Sequence, residues 1–283
     1  GITPPACHAD EERLEDGVPE SGPPDQRVLE NRSATRLSTD HHTLANALSA
    51  AGYATGHFGK WHLGWEPYDA LSQGFDVDVP HTSASGPING YHAPWTFWPD
   101  HGRVDEDGRS YRDAENIEDA MAAEAANFIA EHAGEDPFFV NYWNFSVHLP
   151  LDGDLPLVEK YVREMDPEDE QHHPVYAAMV EKMDQAVGRL LDELEAQGVR
   201  EDTVVVFFSD NGGMDWPAPE DGRMQITSNA PLRNGKASIY EGGTRVPLVV
   251  SWPGEIEAGA ETDALVSSVD FYPTLLDLLG LDP

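Results

Sequence analysis

Six consecutive residues, Thr203 to Phe208 (TVVVFF), constrain this chain more than any other stretch. β-Branched and aromatic side chains without polar alternation are what a strand covered on both faces carries, so the run predicts a central strand of a layered α/β protein. Val246 to Ser251 reads as another strand, as do Tyr53 to Phe58 and Phe138 to Phe145 (FFVNYWNF). Helical patterns lie between them. Thr43 to Ala51 is a short helix opened by Thr43, or by a cap centred on Asp40, and closed by Gly52. Asp113 to His132 places Ile117, Met121, Ala125, Phe128 and Ile129 on one stripe. His172 to Gln197 is the clearest helix, with Val175, Met179, Met183, Val187, Leu190, Leu191 and Leu194 on one face and Gly198 at its end. Phe271 to Leu279 is amphipathic. Strands alternating with long helices predict an α/β sandwich with a largely parallel sheet, and 283 residues fit one large domain, 1–283.

Charge excludes several classes of partner. Lys plus Arg number 17 against 52 Asp plus Glu, a formal net charge of -35. Such a surface repels nucleic acid and anionic membranes. No apolar run approaches the roughly 18 residues that a membrane span needs. The acids are spread along the whole chain, which predicts a protein of a halophile, where salt screens self-repulsion; a merely acidic mesophile protein is the other reading. The cytoplasm of a halophile is then the favoured location, with no targeting segment visible. The single cysteine, Cys7, excludes an intrachain disulfide. Residues 1 to 40 read as a surface loop. The chain opens on Gly1-Ile2-Thr3 and stops at Leu281-Asp282-Pro283, and both ends read as cut.

Four segments carry groups suited to chemistry. Ser209-Asp210-Asn211-Gly212-Gly213 follows the TVVVFF strand. Sites in open α/β sheets form at the carboxyl ends of strands, and a carboxylate beside an amide oxygen suits a hard divalent cation. An Asx turn closing the strand fits the same residues. In Gly59-Lys60-Trp61-His62-Leu63-Gly64, an extended backbone would put Lys60 and His62 on one side, suited to a tetrahedral anion and a proton transfer. In Asn144-Phe145-Ser146-Val147-His148-Leu149-Pro150, His148 is positioned to donate a proton to a leaving group. Lys236, among glycines in Leu232 to Pro247, is an anion contact in a chain poor in cations. Each of these three reads equally as an ordinary surface turn.

Taken in order, these segments resemble the sulfatases of the alkaline phosphatase superfamily. The resemblance rests on Gly52-Tyr53-Ala54-Thr55 leading to Gly59-Lys60-Trp61-His62-Leu63-Gly64, on His148 with Pro150, on Ser209 to Gly213, on Leu232 to Pro247 with its Tyr240-Glu241-Gly242-Gly243-Thr244-Arg245-Val246-Pro247 run, and on Val269 to Leu276. It implies an alkaline-phosphatase-like core, a mostly parallel mixed sheet between helices. It implies hydrolysis of a small-molecule or glycan sulfate ester to alcohol and inorganic sulfate. In the family a Cys or Ser in C/S-x-P-S-R becomes formylglycine, and an early Asp-Asp pair and a later Asp-Asn pair hold one divalent cation, usually calcium. The resemblance makes Asp210 and Asn211 the later pair. Lys60 would bridge nucleophile and sulfate, His62 would assist the formylglycine hydrate, and His148 and Lys236 would contact the sulfate and leaving oxygen.

The chain departs from that pattern at its front. No C/S-x-P-S-R occurs, Cys7 lacks the downstream Pro and Arg, and no Asp-Asp pair precedes Lys60. The expectation is a partial catalytic domain, truncated at both ends, that is inactive alone. Two alternatives remain: a phosphodiesterase or phosphonate monoester hydrolase of the same superfamily, and a non-catalytic relative that binds a sulfated glycan or calcium. Tyr91, Trp95, Phe97 and Trp98 would stack on a substrate at the mouth of the site, or else pack on the domain. Asn31-Arg32-Ser33 and Asn144-Phe145-Ser146 match a glycosylation sequon without further support.

Overall fold

The computed structural model describes residues 36–82, 84, 86–87, 90–93, 95, 97, 116–217 and 224–281. Cys7, residues 1–35 of the loop expected over 1 to 40, the sequon at Asn31 and Trp98 lie outside them.

Three parallel strands form one sheet in the order β2-β1-β3: β1 (Ala54–Gly59), β2 (Val77–Val79) and β3 (Phe138–Trp143). Helix α1 (Leu44–Ala50) leads into β1. Its cap is Thr43, whose side chain accepts from Asn46 N while Asn46 Oδ1 accepts from Thr43 N, so the capping box and not Asp40 opens the helix. Gly52 closes it with φ 89°.

Helix α2 (Ile117–His132) comes between β2 and β3 in the chain, which flank β1 on its two sides, and packs on β1 and β3. The expected stripe is the buried one: Ile117, Met121, Ala125, Phe128 and Ile129 are all at most 5% exposed. Asn116 caps it by accepting from Glu118 N. Helix α4 (Pro174–Ala196) packs on α2, and α3 (Leu155–Glu164) packs on α4. Tyr91, Trp95, Ile117, Met121, Phe145 and Met179 make the largest core cluster, between the sheet end and these helices.

The TVVVFF run departs from its reading. Strand β4 (Val205–Phe208) pairs antiparallel with β5 (Leu248–Ser251), and the two form a separate ladder among the described residues. Phe207, Phe208 and Val249 are 36%, 37% and 57% exposed. Apolar composition signals a strand made to be covered on both faces. Among the described residues β4 has one ladder neighbour, and Phe208 meets Phe271 of helix α5 (Phe271–Leu278) edge-on at 5.0 Å. The sheets are thus mixed, parallel at β1 to β3 and antiparallel at β4 and β5.

Candidate active site

The carboxyl ends of β1 and β3 sit side by side because the strands are parallel neighbours in register, Gly59 opposite Trp143. Gly59 has φ 111°, and a Cβ there would lie 1.9 Å from Trp143 O, so only glycine fits. The next amide, Lys60 N, donates to Trp143 O at 2.8 Å. Trp61 turns inward, stacks on Trp143 at 5.7 Å and leaves the chain anchored below Lys60. The backbone is not extended through His62, which has φ 50°; the alternation expected to put Lys60 and His62 on one side therefore breaks there. His57, one turn deeper, is fully buried, and burial holds its imidazole down at about 3, so it is a neutral core residue.

Segment 144–150 follows β3 directly. His148 Nδ1 lies 2.9 Å from Leu149 O, a carbonyl that can only accept, so Nδ1 carries the proton and the neutral ring offers Nε2 as its open nitrogen. Desolvation by burial pushes the imidazole below its usual range. Leu149 O opposes that shift, the ammonium groups of Lys236 and Lys60 deepen it, and the carboxylate of Asp210 opposes it again. Charges from three sequence-distant segments therefore converge on one imidazole.

Glycine contacts build the opposite wall. Segment 209–213 and segment 233–243 interlock: Gly212 N donates to Gly243 O at 3.1 Å, Lys236 N to Gly213 O at 2.9 Å and Gly242 N to Arg233 O at 2.9 Å. A Cβ on Gly212 would fall 1.7 Å from Gly242 O, and one on Gly235 would fall 2.2 Å from Gly213 O. The backbones touch only because these residues lack side chains. Asp210 is exposed, and Asn211 Nδ2 donates to Gly212 O at 3.0 Å, so the amide oxygen is the end not spent in that bond.

Of the two readings of the aromatics the structure takes the packing one, and Glu118, His92 and Lys182 are residues the sequence reading missed. Tyr91 and Trp95 are 0% and 2% exposed and Phe97 packs against their cluster, so these aromatics are core and do not line a substrate mouth. Glu118, 0% exposed, accepts from Ser146 N at 2.6 Å, and burial raises its carboxyl to about 7. His92 lies between Asp152 and Asp154 at 3.1 and 2.9 Å, and bonds to both raise it to about 9. Lys182, inside the apolar face of α4, pairs with Asp119 at 2.6 Å and Asp154 at 3.0 Å. Acids closely following Pro150 and a lysine within an apolar stripe were the available signals. Among the described residues, Glu66, Asp69 and His81 also bring ligand atoms within 4.8 Å of one another, apart from Asp210. No described helix is long and apolar enough to cross a membrane.

The chain belongs to the sulfatase family: the sulfatase family model matches residues 17–281. The N-acetylgalactosamine-6-sulfatase of Mus musculus is 33% identical over 258 residues, covering 87% of this chain and 46% of that protein. Arylsulfatase A of Homo sapiens is 32% identical over 272 residues, covering 89% of this chain and 50% of that protein. Among solved structures, Ps i-CgsB in complex with k-i-k-neocarrahexaose matches with a TM-score of 0.70 at 28% identity, over 88% of this chain and 55% of that one. The expected alkaline-phosphatase-like α/β fold is borne out. The chain spans about half the length of the curated relatives it matches. The family generally uses a metal ion and formylglycine.

Proposed function

We propose that this chain carries the anion-binding and leaving-group side of a sulfatase site, acting on a sulfate ester of a sugar or other small molecule. The observation that carries the reading is that the Asp210–Gly213 segment is bonded to Lys236, Lys236 N donating to Gly213 O, with the charges of Lys60, Lys236 and Asp210 all felt at the His148 imidazole. Two ammonium groups neutralise charge on a transferring group and hold it in place. Lys60, His62 and His148 are the catalytic side chains, with Lys60, His148 and Lys236 contacting the sulfate. A lowered imidazole pKa makes His148, once protonated, a stronger acid toward the leaving oxygen than an ordinary histidine.

Asp210 and Asn211 supply an exposed carboxylate and an amide oxygen, a donor set that fits one hard divalent cation, calcium. When bound, the cation supplies charge stabilisation for the sulfate oxygens. The formylglycine nucleophile has no matching motif among these residues, and no step is assigned to it. The relatives' names support a glycan ester: one is an N-acetylgalactosamine-6-sulfatase, and the matching structure holds a neocarrahexaose. The net charge of -35 supports a working environment of high salt.

The test is hydrolysis of paired aryl sulfate and aryl phosphate esters by the full-length protein. Faster turnover of the sulfate is expected. Faster turnover of the phosphate would move the chain to the phosphoesterases of the superfamily, and turnover of neither would favour a binding role.

A further inference from the structure

The segment that bears His148 lies outside any helix or strand; His148 N donates to Phe145 O at 3.0 Å, and other backbone groups of the segment take side-chain partners. Tyr91 Oη lies 2.7 Å from Phe145 O and 2.8 Å from His148 O, and its single proton is shared between the two carbonyls. Glu118 Oε1 accepts from Ser146 N at 2.6 Å. Both residues are 0% exposed, and they reach the segment from separate places, Tyr91 from loop 90–93 and Glu118 from the first turn of α2. On the other side of the ring the backbone of Gly86 comes close: a Cβ there would be 3.3 Å from His148 Nδ1. The buried stripe of α2 is complete without a carboxyl, and burying one is costly unless it is hydrogen-bonded. Tyr91 likewise spends its one hydroxyl on the carbonyl of His148 and that of a near neighbour. Neither side chain reaches solvent, so neither can touch a substrate.

We propose that Tyr91 and Glu118 are positioning residues for His148, clamping three backbone groups of its segment and so setting where the imidazole stands relative to Lys60, Lys236 and Asp210. This rests on the reading of His148 as a contact to sulfate and leaving oxygen.

A double-mutant cycle on the full-length protein with an aryl sulfate tests it. Tyr91→Phe removes only the hydroxyl and should lower kcat about tenfold with KM within about twofold. In a His148→Ala background the same change should cost less than about twofold, because the clamp then has nothing to position. Glu118→Ala should also lower kcat about tenfold, and Glu118→Gln, which keeps an acceptor for Ser146 N, should recover most of that loss. If Tyr91→Phe costs as much without His148 as with it, the proposal is overturned. Where His148→Ala alone leaves turnover unchanged, the reading of His148 has failed and takes the clamp with it. Should Glu118→Ala not fold, the Tyr91→Phe cycle decides alone.

Discussion

Lys236 and Gly213 are joined backbone to backbone, Lys236 N donating to Gly213 O at 2.9 Å, so the cation of one segment is fixed against the Asp210–Asn211 turn of another. The join depends on glycine packing. Gly212→Ala puts a methyl 1.7 Å from Gly242 O and must displace one strand of the corner. Calcium binding should weaken at least tenfold, on the order of 1.4 kcal/mol. Gly188→Ala is the contrast: it lies inside α4 with open space around it and should stabilise the protein by roughly 0.5–1 kcal/mol. Calcium titration and urea unfolding of both variants check the pair. Unchanged calcium affinity in Gly212→Ala would refute the corner's role.

Glu118 and His57 act in opposite directions on acid stability. Glu118 has a folded value of about 7, above its ordinary range. Its contribution is whole below pH ~4.5 and is lost as pH rises through 7. His57, held down at about 3, contributes fully above pH ~6.5 and loses that contribution as pH falls toward 3. Glu118→Gln should therefore gain stability over the wild type between pH ~4.5 and 7, by up to about 3 kcal/mol. Urea unfolding at pH 4 and pH 8 measures this; parallel losses in the two proteins would contradict it.

His92 is charged between Asp152 and Asp154, with a folded value of about 9. The stability it supplies is complete below pH ~6.5 and disappears as pH rises through 9. His92→Gln should flatten the fall in Tm between pH 7 and 10. In histidine NMR spectra one ring should titrate near 9 and vanish in this variant. A wild-type spectrum with no ring titrating above pH 8 would rule out the clamp.

Asp210 and Asn211 supply two donors where calcium takes ~6–8 oxygens. Calcium should bind this stretch more weakly than about 1 μM, and Asp210→Ala should abolish binding while His81→Ala leaves it intact. Submicromolar affinity that survives Asp210→Ala would place the ion elsewhere, with the Glu66, Asp69 and His81 group the first place to look.

Much of this arrangement was legible in the residues. The stripes of α2 and α4, the Thr43 cap and the strands at Ala54 and Phe138 follow from periodicity and capping, which are local. Segment order pointed to Lys60, His148, Asp210 and Lys236, of which the segments of Asp210 and Lys236 are joined by the bond from Lys236 N to Gly213 O. What failed depends on tertiary partners. Covered strands need neighbours, and Val206 to Phe208 have one ladder partner. Aromatic residues in a turn-rich stretch do not say which way they face, and Tyr91 faces inward to bond the carbonyl of His148. Helix α3 went unseen although Leu157, Val158 and Tyr161 share one half-buried face; the stripe is short, no residue of the helix is fully buried, and Leu155 is 76% exposed. A buried Lys182 is invisible to any rule that sends lysine outward; only the nearness of Asp119 and Asp154 keeps it there.

The most direct measurement is kcat/KM of the full-length protein for an aryl sulfate in Lys60→Ala, Lys236→Ala and His148→Ala. Each removes one group that converges on the same point and should lower kcat/KM by about 10²–10³, with little loss of folded stability. Variants that all stay within about threefold of the wild type would show that the reaction runs without these groups, and the site described would not be its active site.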